Sequence, residues 1–480
     1  MINIKDSVAS GVFRNFDKIS RIPRCSGNEE NIANFIYEFG KNLGYDVKKD
    51  KYNNVLILKP ATEGYEDSET VVLQAHTDMV CEKTEDSDHD FCKDPIVTKV
   101  NGDFIKADKT TLGADDGIGV AIIMDILEDK TLSHPSIEAI FTATEETGMD
   151  GAIGLSENWL TGKRLINIDT EDDNVIIVGC AGGVNATLTI EREVETIDNL
   201  KNCKIEVSGL KGGHSGLTIG EAHLNSVKVL NEVIMKLKQK YDLHLEIFEG
   251  GSKHNAIPVK AYAIIGVEEN LFDDFKTDFY NIVNEIKEIF LKREADMTFG
   301  FKEYEGEGSY LTRQTLSNFS RLIQLFPHGI NTMDENGDLV QSSNNLAIVK
   351  FSDDKIDILT SIRSSKQNDM DVLKNTIEDI ASITSAKIVF SEGYPMWEPD
   401  FQSELLNTAK SVYKELRGEE VIVSTIHAGL ETGILSKKYP NIKMISTGPN
   451  ITGAHTPEEK LSIKSTEFMV KYIKRILTKL

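Results

Sequence analysis

Cysteine and long apolar runs are both scarce in this sequence. Only five of the 480 residues are cysteine, and they are scattered, odd in number and without a CxxC pair: Cys25, Cys81, Cys92, Cys180 and Cys203. This usage is typical of reduced thiols in a cytoplasm. The apolar stretches are too short to span a bilayer, and the segment MINIKDSVASGVFRNFDKIS lacks the apolar core of a signal peptide. We therefore expect a cytoplasmic protein with no membrane partner.

Basic residues are also in deficit. The 53 Lys and Arg residues stand against 77 Asp and Glu residues, which gives a formal net charge of −24. Non-specific binding to nucleic acid needs a basic face, so we expect no nucleic-acid partner. An acidic surface mostly serves solubility and does not identify a partner.

The length and the alternation of predicted elements indicate an α/β catalytic domain. A chain of 480 residues with 40% apolar and 27% charged residues is globular and too long for one ordinary core. Strands are predicted at 71–75, 137–144 and 165–168, with a helix over 117–127. This order predicts a mostly parallel central sheet with flanking helices. In such sheets, sites collect at the carboxyl ends of the strands.

The middle of the chain has a different texture. Segments such as VNATLTIERE and CKIEVSGL alternate apolar and polar residues, as half-buried antiparallel strands do. The α/β pattern returns near the C-terminus. We therefore predict a catalytic domain of residues 1–183 and 395–480, with an α+β lid domain, 184–394, inserted into it.

A helix is predicted near the N-terminus, starting at a capping box formed by Ser26 and Glu29. Apolar residues then recur at helical spacing, at Ile32, Phe35, Ile36 and Phe39. Cys81 is expected to be a buried, small apolar residue.

Five short segments place carboxylates or histidines at or near the ends of apolar runs. These side chains suit borderline-hard divalent metals and indicate a metal-activated water, and so a hydrolase. The segments are VVLQAHTDMV with His76 and Asp78, TLGADDGIG with Asp115, FTATEETG with Glu145 and Glu146, LINIDTED with Asp169, and TGAHTPEE with His455.

Chemistry suggests a role for each side chain. A two-metal hydrolase needs terminal ligands, a bridging carboxylate and an unligated carboxylate as general base. We assign His76 and Glu146 to different ions, and Asp169 and His455 complete the two shells. Asp115 is the bridge, Glu145 is the base, and Asp78 orients the imidazole of His76.

Each segment alone has a simpler interpretation. A single HxD can be a hydrogen-bonded turn, a Glu-Glu pair is usually solvated surface, and Asp-Asp-Gly is a common turn. The joint occurrence of all five beside apolar strands favours the metal site.

The five segments resemble the motifs of the dinuclear zinc hydrolases that include aminoacylases and carboxypeptidase-like dipeptidases. Within that family, HTDMVCEK, HAGLETG and a large middle domain are similar to the branch of peptidase D, the bacterial aminoacyl-histidine (Xaa-His) dipeptidases. The resemblance implies the same ligands and the same base, and a cis peptide between Asp115 and Asp116. That branch often has Asn where this chain has Asp116, a difference that could alter the metal preference.

The resemblance also implies functional residues in the middle domain. His214 in KGGHSG is similar to a histidine that polarises the scissile carbonyl, supplied on lid closure or across a dimer. Its alternative is a solvent-exposed histidine in a glycine-rich turn. Further substrate contacts are implied or possible at four positions: Asn255 in HNAIP, Arg363 in SIRSS, and His427 and Glu431 in HAGLETG. Arg363 could pair with a substrate carboxylate or form a surface salt bridge. His254 has no assigned role.

The function expected from the sequence is metal-dependent hydrolysis of dipeptides, Xaa-His or non-specific. The cofactors would be two divalent ions, most plausibly Zn²⁺, with Co²⁺ or Mn²⁺ as alternatives. A tripeptidase, an N-acyl amino acid hydrolase and a non-catalytic binding protein are the competing hypotheses. A homodimer is compatible with the role of His214.

Overall fold

The computed structural model describes residues 7–480, so the first six residues of the segment expected to lack a signal peptide lie outside the description. The chain forms two compact units. Unit 1 contains the N-terminal part up to Cys180, with Trp397–Thr425 and Leu430–Leu480. Unit 2 contains Ala181–Met396 and Ile426–Gly429. The return of 426–429 to unit 2 was not predicted.

The first part of unit 1 alternates helices and strands. Its elements are α1 (Ser10–Ile19), α2 (Glu30–Asn42), β1 (Asp46–Lys49), β2 (Val55–Lys59), β3 (Val71–His76), β4 (Lys99–Asn101), β5 (Phe104–Lys106), α3 (Ala114–Glu128), β6 (Ile137–Thr142), α4 (Glu145–Gly148), α5 (Asp150–Gly154), β7 (Arg164–Asn167) and β8 (Val175–Cys180).

Unit 2 follows with strands and long helices. Its elements are β9 (Gly182–Glu191), β10 (Val194–Thr196), β11 (Leu200–Ser208), α6 (Ser226–Lys238), β12 (His244–Gly250), β13 (Ala261–Glu268), α7 (Phe272–Phe290), β14 (Thr298–Glu303), β15 (Ser309–Leu311), α8 (Arg313–Leu325), β16 (Gly329–Met333), β17 (Val340–Phe351), β18 (Lys355–Ser364), α9 (Gln367–Ile383) and β19 (Lys387–Phe390), with short 3₁₀ turns at Ile219–Glu221 and Glu269–Leu271.

The chain ends with α10 (Glu404–Arg417), β20 (Ile422–Ile426), α11 (Glu431–Lys438), β21 (Lys443–Ser446), β22 (Ile451–Thr452), β23 (Lys460–Ser462) and α12 (Ile463–Leu477).

The sheet of unit 1 confirms the predicted α/β layer. Its strand order is β1-β2-β6-β3-β7-β21-β8-β20. The central pairs β6-β3, β3-β7 and β7-β21 are parallel, and the pairs β1-β2, β2-β6 and β21-β8 are antiparallel. All six residues of β3 are buried, as expected for a parallel strand covered on both faces. Helix α3 is apolar nearly all round and buried along most of its length.

The main sheet of unit 2 is antiparallel, in the order β14-β11-β13-β12-β17-β18-β9-β19 with β16 beside β17. Strand β11 alternates buried and more exposed residues, which matches the alternation in its sequence. Helices α6 to α9 bury apolar stripes in the core of this unit. The unit therefore has the α+β character that the sequence predicts.

Candidate active site

Three of the predicted segments meet at one edge of the unit 1 sheet. Strand β3 ends at His76, and Glu145 and Glu146 follow β6 at the start of α4. Asp169 follows β7. Because β3 pairs in parallel with both β6 and β7, the carboxyl ends of these strands are adjacent. The fold rule that predicted a site at these ends agrees with the structure.

The predicted ligands form overlapping clusters in unit 1. Ligand atoms lie within 4.8 Å of one another in three groups: His76 with Asp116 and Asp169, His76 with Glu145 and Glu146, and Asp115 with Glu146 and His455. Every side chain proposed as a ligand or base from the sequence is therefore in one neighbourhood. Asp116, which had no assigned role, lies there too.

Asp115 stands between the two histidines. Its Oδ1 is 3.3 Å from Nε2 of His76, and its Oδ2 is 3.1 Å from Nε2 of His455. The Nε2 atom of each histidine has one further carboxylate neighbour, at 3.5 Å between His76 and Asp169 and at 3.0 Å between His455 and Glu146. The cis peptide between Asp115 and Asp116 implied by the family resemblance is present.

The donor set fits divalent cations. Five carboxylates and two imidazoles converge here, and among residues 7–480 no Lys or Arg forms an ion pair with any of these carboxylates. The Oε1 atom of Glu146 is buried, and no partner within the described chain hydrogen-bonds to it. Buried carboxylates without a cation are costly, whereas oxygen and imidazole nitrogen atoms are the ligands that zinc and similar ions take.

Burial makes two of the carboxylates unusually basic. It raises the pKa of Glu145 well above its ordinary value, and Asp169 and Glu431 add to the effect while His76 opposes it. Burial also raises the pKa of Asp169 to about 6, against the opposing influence of His76. A carboxylate with a raised pKa that is not needed as a ligand is suited to accept a proton.

Asp78 supports the cluster from behind. Its Oδ1 lies 3.3 Å from Nδ1 of His76, close enough for its charge to act on the imidazole, although the two atoms do not have hydrogen-bond geometry. It also accepts hydrogen bonds from the backbone N–H groups of Glu145 at 3.0 Å and Glu146 at 3.2 Å. Burial opposes ionisation, but the contact with His76 and its charge, together with the hydrogen bonds from Glu145 and Ser26, outweigh it and lower the pKa of Asp78 to about 2.

The predicted capping box is wrong. Helix α2 starts at Glu30 with Glu29 before it, and no side chain caps its first turn. The hydroxyl of Ser26 instead donates to Oδ2 of Asp78 at 2.8 Å, and Glu29 accepts from the hydroxyl of Thr144 at 2.9 Å. Both residues are therefore used in long-range contacts around the cluster, which local sequence patterns do not report.

His214 in unit 2 has a defined tautomer. Its Nδ1 accepts the backbone N–H groups of Gly216 and Leu217, each at 3.1 Å, so the ring proton of the neutral imidazole is on Nε2. Burial, followed by the charges of Arg363 and His254, lowers the pKa of His214. The ring is half-buried rather than a free side chain on a turn, and it offers one N–H donor.

Arg363 lies near His214, and it is not a surface residue. It is 6% exposed on β18 and donates from Nη1 to the hydroxyl of Tyr394 at 2.5 Å. A Cβ added to Gly216 would lie 3.2 Å from Cε1 of His214 and 3.3 Å from Cζ of Arg363. His427 lies close to His214 and Arg363, since its carbonyl oxygen would be 2.4 Å from the same added Cβ. Burial, followed by the charge of Arg363, lowers the pKa of His427 to about 4.

Tyr394 was missed by sequence analysis. An added Cβ at Gly183 would lie 2.4 Å from its ring, and one at Gly429 would lie 2.7 Å from it. The ring thus occupies space that only glycine leaves open, beside the guanidinium of Arg363. The glycines of CAGG and HAGL were the available signal, but sequence alone does not say which aromatic ring fills the gap.

The remaining predicted residues have varied surroundings. Asn255 accepts the backbone N–H of Ser215 at 2.8 Å through its own carbonyl, next to the loop that carries His214. His254 is exposed. Glu431 is 1% exposed in unit 1, where it accepts from Gln74 at 2.7 Å and Thr142 at 2.6 Å.

The expectation that all five cysteines are reduced is wrong for this structure. Cys25 and Cys81 form a disulfide with a Cα–Cα distance of 5.8 Å, and Cys92, Cys180 and Cys203 are free. Cys81 is partly exposed rather than buried. The two cysteines are distant in sequence, and the backbones at Cys25 and Met79 pair in a short parallel bridge that brings the thiols together.

Comparison with known proteins identifies the family. Residues 72–479 match the model of peptidase family M20/M25/M40. The chain belongs to this family. It is therefore a peptidase, a hydrolase of peptide bonds, and the resemblance found in the five motifs is confirmed.

Individual members of the family resemble the whole chain. The cytosol non-specific dipeptidase of Escherichia coli strain K12 is 37% identical over 455 residues, which cover 94% of this chain and 93% of that protein. The crystal structure of aminoacylhistidine dipeptidase from Vibrio alginolyticus has a TM-score of 0.93 and 34% identity, over 100% of this chain and 98% of that one. A tripeptidase from Staphylococcus aureus, with a TM-score of 0.57 and 15% identity over 98% of each chain, shows the shared fold alone.

Among residues 7–480, none of the helices is both long enough and apolar enough to cross a bilayer.

Proposed function

We propose that this peptidase hydrolyses dipeptides, Xaa-His dipeptides among them, with two divalent metal ions as cofactors. The observation that carries the proposal is Asp115, whose two carboxylate oxygens face His76 and His455 on opposite sides. A carboxylate with one oxygen for each of two sites is what a dinuclear hydrolase requires. The names of the Escherichia coli and Vibrio alginolyticus relatives support dipeptides as the substrate class.

The geometry supports a division of the ligands between two ions. His76 and Asp169 would hold one ion, and His455 and Glu146 the other, with Asp115 shared. A mixed set of imidazole and carboxylate ligands suits Zn²⁺, and Co²⁺ or Mn²⁺ could replace it. When bound, the ions would polarise the peptide carbonyl and acidify a water molecule.

The protein side chains would carry the protons. Glu145, with its raised pKa, would accept a proton from the attacking water and deliver it to the leaving amine. Asp78 would hold the imidazole of His76 in one tautomer through its Nδ1. The Nε2–H of His214 would donate to the carbonyl oxygen, where negative charge develops during attack.

Unit 2 would recognise the ends of a short peptide. Arg363 is buried, its Nη1 donates to the neutral hydroxyl of Tyr394, and among residues 7–480 it forms no ion pair with a carboxylate, so its charge is available for the free carboxylate of a dipeptide. Asn255 and His427 are further proposed contacts with the substrate. Glu431 was also expected to contact the substrate, but its burial favours a role behind the residues that do so. In this role unit 2 would act as the lid that the sequence predicts.

We also propose a cellular location and an oligomeric state for the enzyme. The proposed location is the cytosol, which is named for the Escherichia coli relative. The proposed oligomer is a homodimer. Light scattering on the purified protein tests the dimer, because a mass of one chain would exclude it.

A substrate panel tests the proposed activity. The protein is stripped of metal, resupplied with zinc, cobalt or manganese, and assayed on Xaa-His dipeptides, other dipeptides, a tripeptide and an N-acetyl amino acid. Metal-dependent cleavage confined to dipeptides supports the proposal. Preference for the tripeptide or the acylated substrate would assign another activity of the family, and inactivity with every metal would favour a binding protein on this fold.

A further inference from the structure

Glu459 is a buried carboxylate that no sequence pattern singled out. It lies four residues after His455 and is 2% exposed. Its two oxygens accept hydrogen bonds from four consecutive backbone amides, two in the loop before α3 and two at the start of that helix. These donors are Leu112 at 2.7 Å and Gly113 at 2.9 Å to Oε2, and Ala114 at 2.7 Å and Asp115 at 3.2 Å to Oε1.

Arg24 holds the same loop from the other side. Its Nη2 donates to the carbonyl of Gly113, and its Nη1 donates to the carbonyls of Thr77 at 3.0 Å and Asp78 at 2.9 Å. The amide of Gly113 therefore bonds to a buried anion while its carbonyl bonds to a buried cation. The same guanidinium also links this loop to the segment after β3, which contains Asp78.

Glycine is required at position 113 by this arrangement. Its φ is +66°, in the left-handed region, and an added Cβ would lie 2.5 Å from Nη2 of Arg24 and 2.7 Å from Sδ of Met79. Any other residue would be strained and would also displace the guanidinium. The loop before Asp115 is thus fixed by sterics as well as by hydrogen bonds.

These contacts converge on the residue that faces both histidines. The N–H of Asp115 bonds to Glu459, and its carboxylate oxygens face His76 and His455. Glu459 itself follows His455 on the next turn of chain, where Thr456 and Glu459 are joined by a backbone bond at 3.0 Å. One side chain therefore connects the segment of His455 with the segment of Asp115, which are far apart in sequence.

We propose that Glu459 is a positioning residue for the metal-binding cluster: it sets the place of the Asp115 carboxylate relative to His455 before a cation binds. The inference rests on the proposed function, since it concerns the same cluster. A side chain that only capped the start of α3 would contribute to stability and would leave the metal affinity of the folded protein unchanged. A positioning residue changes that affinity, and loss of such an outer partner typically weakens metal binding about 10- to 100-fold.

The test compares Glu459→Gln with Glu458→Gln. Glutamine keeps the length of the side chain but presents an NH₂ group to two of the four amides, so half of the bonds are lost. Glu458 is the matched control, because it is the adjacent residue and its side chain is 82% exposed. Zinc dissociation constants are measured by chelator competition on the metal-free, folded proteins, together with thermal unfolding and kcat and KM at saturating metal.

We expect Glu459→Gln to bind zinc roughly 10- to 100-fold more weakly and to lose kcat with little change in KM. Glu458→Gln should match the wild type in every measurement. A Glu459→Gln protein with wild-type zinc affinity would overturn the inference even if its melting temperature fell. Wild-type protein that fails to hydrolyse any peptide would instead refute the proposed function, so the two failures are distinguishable.

A measurement on the unaltered enzyme covers the case in which Glu459→Gln does not fold. If Glu459 positions the loop in advance, the amides of residues 112–115 should exchange slowly with deuterium in the metal-free protein. Exchange at the rate of an unstructured peptide, with protection only after metal is added, would overturn the inference.

Discussion

Nε2 of His455 lies 3.1 Å from Oδ2 of Asp115, although 340 positions separate the two residues in the chain. His455 has a φ of +62°, a conformation that non-glycine residues adopt only when their surroundings impose it. Its side chain is 50% exposed, whereas that of Asp115 is 12% exposed. The cluster is therefore completed by a strained, accessible histidine from the C-terminal part of unit 1, placed against largely buried carboxylates of the N-terminal part.

Replacing Glu431 by Gln should stabilise the protein at alkaline pH. Burial, opposed by His76, raises the pKa of Glu431 to about 8, so the folded state favours the neutral acid. The stabilising preference is fully present below the ordinary pKa of 4.5 and is lost as pH rises through about 8. Urea unfolding should therefore show little difference near pH 4.5 and a gain on the order of 4 kcal/mol for Glu431→Gln near pH 8.

The same variant tests whether Glu431 contacts substrate. Because its carboxylate is bonded to Gln74 and Thr142 inside unit 1, KM should not change. A large rise in KM without a change in stability would show that Glu431 contacts the substrate directly.

Arg363→Lys should impair recognition of the substrate carboxylate. Lysine keeps the charge but loses the planar fork, and loss of a hydrogen bond to a charged group corresponds to roughly a 10- to 100-fold rise in KM. The assay compares a dipeptide with its C-terminal amide. The wild type should prefer the free acid, and the variant should have lost most of that preference. Arg321→Lys, on the exposed side of α8, is the control. Equal loss on both substrates would argue against carboxylate binding by Arg363.

The disulfide should be visible by thiol titration. Denatured, unreduced protein should show three thiols, those of Cys92, Cys180 and Cys203, and reduced protein should show five. The bond closes a loop with a sequence separation of 56, for which chain entropy gives a stabilisation of up to roughly 4 kcal/mol. Cys25→Ser should therefore lower the free energy of unfolding, and Cys92→Ser, at an exposed free cysteine, should not. Five thiols before reduction would show that the pair is not bonded.

Asp116→Asn should retain both metal and turnover. Asp116 accepts the backbone N–H of His76 at 3.1 Å, and an amide oxygen can accept the same bond. Burial raises the pKa of Asp116 well above its ordinary value, so a neutral side chain is already favoured at this position in the metal-free protein. Loss of one equivalent of metal on this substitution would identify Asp116 as a ligand, as its place beside His76 and Asp169 allows.

Much of unit 1 could be predicted from the sequence because its signals are local. The apolar run VVLQA and the motifs of Glu145 and Asp169 identify strand ends, and the rule for parallel sheets then brings those ends together. Residues 71–75 and 165–168 were predicted as strands within one residue or so of β3 and β7. The candidate ligands could be proposed from the sequence because each lies in a short motif of this kind.

The supporting contacts could not be predicted, because they join distant segments without a local pattern. Ser26 has the sequence of a helix cap, yet it donates to Asp78. Glu459 accepts from amides more than 340 positions away, and Tyr394 fills a gap left by Gly183 and Gly429. The pairing of Cys25 with Cys81 likewise depends on where two loops meet. Such relationships are decided by tertiary packing, and one sequence contains no direct trace of it.

Metal content and turnover of Glu145→Gln together test whether Glu145 is the unligated base. We predict that wild type and variant both bind two divalent ions per chain, while the variant loses roughly 100- to 10,000-fold in kcat, as expected for removal of a general base. Glu157→Gln, at an exposed position of unit 1, should keep wild-type activity and metal content. A Glu145→Gln protein that is fully active, or one that has lost a metal ion, would contradict the assignment of Glu145 as the unligated base.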